Sequence, residues 1–188
     1  MSGQLLIAGI GNIFLGDDGF GVEVANRLGS ADLPDWAHVV DYGIRGMHLA
    51  YDLAGRYDSA ILVDATSRGG APGTVYVIEP DRQRTTPADD EAALAANPMF
   101  NAHGMQPDVV LSMLGLLVAE PADAAGQILL VGCEPASVDY GIGLSAPVAA
   151  AVDEAVSVVL DLVSAAAQAG EDHRLVMKEW AHVPRDSR

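Results

Sequence analysis

The feature that most constrains the fold is an alternation. Short apolar runs, each closed by glycine or aspartate, are separated by stretches with helical spacing. Leu5–Ala8 is a strand candidate closed by Gly9-Ile10-Gly11-Asn12, and Gly19–Leu28 reads as a helix with Asp17 or Asp18 as N-cap and Gly29 just past its end. His38–Val40 is a second strand candidate ending at Asp41-Tyr42-Gly43, followed by a short helix over Met47–Ala54. Ala60–Val63, ending at Asp64, is a third. A β-α-β-α-β opening of this kind implies parallel strands joined by crossover helices. Thr74–Ile78 follows after only a glycine-rich turn, Gly69-Gly70-Ala71-Pro72-Gly73, so it should run antiparallel at an edge.

Ile128–Gly132 is a fifth strand candidate, and Pro147–Ala167 is a long closing helix. Between them and the fourth strand, Pro107 suits the first position of a helix through Val118. Pro80–Gln106 has weak periodicity, with a short helix at Asp89–Ala96, and links of this length usually serve function or are disordered. The expected fold is α/β: a single three-layer domain with a mostly parallel, five-stranded twisted sheet, one antiparallel edge strand and helices on both faces. That domain is expected over residues 1–170, with 171–188 as a loose C-terminal tail.

Charge narrows the classes of partner. The 188 residues carry 10 Lys+Arg against 26 Asp+Glu, a net charge of −16, and residues 1–170 contain 6 Arg and no lysine. Binding to phosphate polymers needs clustered positive charge, so nucleic acid and anionic membranes are not expected partners. Most of the acids are expected to be solvated surface. Cys133 is alone, so it cannot form an internal disulfide; it reads as a small buried hydrophobe in a cytoplasmic protein. No basic residue precedes the first apolar run, which argues against a secretory signal. The longest helical stretch holds Asp153, Glu154 and Asp161, which argues against a membrane span.

In an open α/β sheet the ligand crevice lies beyond the carboxyl ends of the strands. Those ends carry Asp17 and Asp18, Asp41 and Asp64, and His103 enters from the long link. Oxygen and nitrogen ligands of this kind suit a divalent transition metal. Each residue also has a plain structural role open to it: Asp17 or Asp18 as a helix cap, Asp41 as a turn initiator, Asp64 as a cap for the Thr66–Gly70 loop. Several other sites are excluded. Phe14 stands where a dinucleotide fingerprint needs its third glycine, no phosphate-loop lysine exists in residues 1–170, and neither a Gly-x-Ser-x-Gly elbow nor a His-Glu-x-x-His helix occurs. A phosphorylated receiver domain expects a lysine after the fifth strand, where this chain has Cys133-Glu134-Pro135.

The ordered set Gly9-Ile10-Gly11-Asn12, Leu15-Gly16-Asp17-Asp18-Gly19-Phe20-Gly21, Asp41-Tyr42-Gly43-Ile44-Arg45-Gly46, Val63-Asp64-Ala65 and His103 resembles the NiFe-hydrogenase maturation endopeptidases. The resemblance runs from Leu5 to about Ala167. It implies an enzyme that removes a C-terminal extension from the precursor of the hydrogenase large subunit once nickel has been inserted. It also implies that Asp18, Asp64 and His103 bind the nickel supplied by the substrate, with no organic cofactor, and that Asp41 takes part in cleavage together with Asp18 and His103. The alternative is a nickel-dependent chaperone that holds the precursor without cutting it. Two departures stand out: Asp18 replaces a frequent Glu, and Ile44 replaces a frequent Thr. Arg45, beside Ile44, is a candidate for meeting a substrate carboxylate, against the plainer role of a surface residue.

Overall fold

A computed structural model describes residues 3–80, 126–169 and Leu175. Five strands form one sheet: β1 (Leu5–Ile10), β2 (Ala37–Gly43), β3 (Ser59–Ala65), β4 (Val75–Ile78) and β5 (Gln127–Cys133). Their order is β2-β1-β3-β5-β4. The β1–β2, β1–β3 and β3–β5 pairs are parallel, and β4 pairs antiparallel with β5 at the edge, as the short glycine-rich link predicts. The described helices are α1 (Phe20–Leu28), α2 (Gly46–Leu53) and α3 (Ala146–Gln168), with a 3-10 turn at Gly16–Gly19 leading into α1. The long link expected at Pro80–Gln106, its helix at Asp89–Ala96 and the helix from Pro107 to Val118 fall mostly or wholly outside the described residues, as does the tail apart from Leu175.

Every residue of β1 is buried, which explains its unbroken apolar run: a central parallel strand is covered on both faces. Alternate side chains serve two cores. Leu5, Ile7, Ile61, Val63, Leu129 and Val131 face Phe20 and Val24 of α1 and the apolar stripe of α3. Leu6, Ala8, Ile10, Ala60 and Leu62 face Leu49, Ala50 and Leu53 of α2. Each fully buried leucine or isoleucine contributes about 1.5–3 kcal/mol before chain entropy is subtracted. Gly21 brings α1 against the sheet without a spacer, since a Cβ there would lie 2.0 Å from the Val63 carbonyl oxygen. That approach seats the start of α1 directly over the carboxyl end of β3.

The structure departs from the sequence reading in three local respects. Strands β2, β3 and β5 run on past their apolar runs, so Asp41 and Asp64 lie inside strands rather than after them. Neither Asp17 nor Asp18 caps α1; Gly19 occupies the N-cap position and no side chain bonds there. Gly29 is the C-cap in right-handed conformation (φ −60°), not a left-handed residue beyond the end.

Candidate active site

The strand order reverses direction between β1 and β3, and ligands of doubly wound sheets bind at such a switch point. Asp64 comes from β3 on one side of it and Asp18 from the 3-10 turn after β1 on the other. Gly11 lies against both. Its φ of +131° suits glycine, and a Cβ would fall 1.8 Å from the Asp18 carbonyl oxygen and 3.7 Å from Asp64 Oδ1. The next residue, Asn12, donates its backbone N–H to Asp18 Oδ2 at 2.7 Å. The chain after β1 therefore wraps the two carboxylates closely.

Asp64 is 3 % exposed. Burial pushes its carboxyl well above the usual range, the neighbouring Asp18 charge adds to the rise, and the Ala65 N–H acts the other way without offsetting them. A carboxylate buried beside a second carboxylate is costly alone and is relieved by a cation.

Asp41 is exposed at the carboxyl end of β2, where the β1–β2 register slips: Gly9 pairs with Asp41 but Ile10 pairs with Gly43. The extra residue, Tyr42, is buried in the α2 core and donates its hydroxyl to Asp52. This bulge re-aims the strand end, and Asp41 Oδ1 comes within 3.5 Å of where a Gly43 Cβ would stand. Arg45 is exposed in the turn that follows. Its guanidinium donates to the carbonyl oxygens of Tyr42 and Asp41, closing the turn after β2.

Two other acids at this edge have structural work. Asp17, 1 % exposed, accepts hydrogen bonds from the backbone N–H groups of Ala136, Ser137 and Ser145 and from the Ser145 hydroxyl. Burial alone would raise its carboxyl, but these donors, led by Ser145, more than offset that and hold it below the usual range. Asp17 ties the segment between β5 and α3 to the 3-10 turn. Glu134 caps the loop after β3, the part foreseen for Asp64. Its carboxylate accepts from the N–H groups of Arg68 and Gly69 and from the Tyr76 hydroxyl, and these donors lower it despite burial. Glu134 was not foreseen; its signal is an acid directly after a buried apolar strand. Cys133 is fully buried, and burial, with Asp17, Glu154 and Glu134 adding to it, raises its thiol to about 12, so it is no thiolate nucleophile at neutral pH.

The structure thus brings together Asp18 and Asp64, with Asp41 at the adjoining strand end, while His103 lies outside the described residues. Among the described residues no three metal-binding side chains form a group, so the expected three-ligand site requires a contribution such as His103. Among them, too, no helix is long and apolar enough to cross a membrane.

Comparisons with known proteins identify the family. The profile of the HycI hydrogenase maturation protease family matches residues 22–162. The chain is 32 % identical over 159 residues to the hydrogenase 2 maturation protease of Escherichia coli, covering 84 % of this chain and 88 % of that one. It is 31 % identical over 182 residues to the hydrogenase expression/formation protein HoxM of Azotobacter vinelandii, covering 92 % and 80 %. In structure it is similar to the hydrogenase maturating endopeptidase HybD from E. coli, with a TM-score of 0.66, 27 % identity and coverage of 90 % and 95 %. It is also similar to the hydrogenase 2 maturation peptidase from a Thaumarchaeota archaeon, with a TM-score of 0.63, 31 % identity and coverage of 86 % and 98 %. The five-stranded sheet and these likenesses together assign the chain to the hydrogenase maturation protease family, a family of endopeptidases.

Proposed function

We propose that this endopeptidase removes the C-terminal extension of a NiFe-hydrogenase large-subunit precursor after nickel insertion, and that it recognises the nickel carried by that substrate. The supporting observation is the burial of Asp64 beside Asp18 at the switch point of the sheet, a pair of carboxylates whose charge is disfavoured and that suits a cation. Asp18 and Asp64 supply oxygen ligands, and His103 completes the set from the long link. Nickel held this way fixes the scissile bond at the sheet edge and polarises the groups around it. Asp41, exposed at the bulged end of β2, is the carboxylate assigned to accept a proton from the attacking water. The setting proposed for this reaction is the cytoplasm, with nickel as substrate cargo and no organic cofactor.

Incubation with nickel-loaded precursor tests the reading on a denaturing gel. Loss of a C-terminal peptide is expected with nickel-loaded precursor and not with nickel-free precursor. Equal cleavage of both would remove the nickel step, and an intact precursor in a stable complex would make the protein a chaperone instead.

A further inference from the structure

Eight large apolar side chains are exposed among the described residues. All lie on the loops after β1, β2 and β5 or within α2, the elements around the carboxylates, and none lies at the opposite edge of the sheet. Two of those loops are laced together. Gly141 N donates to the Phe14 carbonyl, Gly16 N donates to the Gly141 carbonyl, and Leu15 and Gly141 form a bridge. Tyr140 (94 % exposed) and Ile142 (82 %), the neighbours of Gly141, thereby stand beside Phe14 (58 %). Both loops are held from below. Asn12 Oδ1 accepts from Phe14 N while Asn12 N donates to Asp18, and Asp17 grips both ends of the β5–α3 segment. An apolar rim is thus presented on a rigid base, where exposure of this kind marks an interaction surface.

Charge selects the occupant. The rim contains the exposed Asp139, and the chain as a whole carries 26 Asp+Glu against 10 Lys+Arg. With a net charge of −16, a second copy would bring like charge against like. A complementary surface is apolar with Lys or Arg around it.

We propose that Phe14, Tyr140 and Ile142 form a docking surface for the substrate polypeptide, taking an apolar segment flanked by basic residues independently of the nickel. This rests on the function proposed above. The test measures calorimetric affinity for nickel-free large-subunit precursor from the same organism. The variants are Tyr140→Ser/Ile142→Ser and, on the facing loop, Phe14→Ser. All three side chains are exposed, so the fold is expected to stay intact by circular dichroism. Each variant is expected to bind about tenfold or more weakly than the parent protein. Unchanged affinity, or no binding of nickel-free precursor by the parent protein, would overturn the proposal. So would a parent dimer that the variants dissociate without any change in precursor affinity. Cleavage by Asp64→Asn reports on the carboxylates and not on the rim, so the two readings fail separately.

Discussion

Asp17 and Asp64 are both buried at the same edge of one sheet, yet their surroundings drive them in opposite directions. Asp17 is ringed by donors from a distant part of the chain, and its carboxylate is favoured in the folded state. Asp64 is buried beside another carboxylate, and its charge is disfavoured. One acid stabilises the fold; the other is kept at a cost to it. Burial alone does not distinguish structural from functional carboxylates, whereas the donors around each one do.

The sharpest way to break the comparison is Asp64→Asn. Processing of nickel-loaded precursor should fall by about 1000-fold, equivalent to about 4 kcal/mol of barrier. The metal-free protein should become more stable at neutral pH by about 0.5–2 kcal/mol, read by denaturant unfolding. Cleavage at the parent rate would return Asp64 to a structural role. Asp17→Asn should do the reverse to stability and lower it by about 3 kcal/mol, because the amide cannot accept from all the same donors. An unchanged unfolding midpoint would show that the clamp is dispensable.

Acid titration sharpens the contrast. Asp17 and Glu134 are held below their usual ranges, so they contribute stability that is present above about pH 4 and lost as pH falls through their folded values. Asp64 is held above its usual value, so its contribution has the opposite sign and stability is lost as pH rises from about 4. Replacing Glu134 with Gln should flatten the acid limb of the stability–pH curve and cost about 1–2 kcal/mol at neutral pH; a limb as steep as the parent's would exclude Glu134 from it. The smallest effect is expected from Cys133→Ser, which should retain processing activity, and the parent thiol should react with a thiol reagent only on unfolding. Inactivation of a folded Cys133→Ser variant would revive cysteine chemistry.

Much of this edge was legible in the sequence. Apolar runs located all five strands, and the turn-length link before Val75 foretold the antiparallel edge. Strand ends were read short because a carboxylate interrupts an apolar run without interrupting the backbone ladder, which continues through Asp41 and Asp64. The division of labour between Asp17 and Asp18 was not legible. Two adjacent aspartates look alike locally, and what separates them is a set of donors 119 to 128 residues away. Glu134 escaped for the same reason, since its partners lie 58 to 66 positions earlier. The contacts of Arg45 are not legible either, because its carbonyl acceptors depend on a bulge that no sequence pattern announces.

The clamp formed by Asp17 also bears on the order in which the molecule is built. A chain emerging from the ribosome carries Asp17 long before Ala136, Ser137 and Ser145 exist. Closing that contact spans most of the sequence, so it is entropically late compared with pairing β1, β2 and β3. The rim and the base beneath Asp18 are therefore completed only after the segment following β5 has been made, and a chain that stops short of it has the acids of a protease without the surface that supports them.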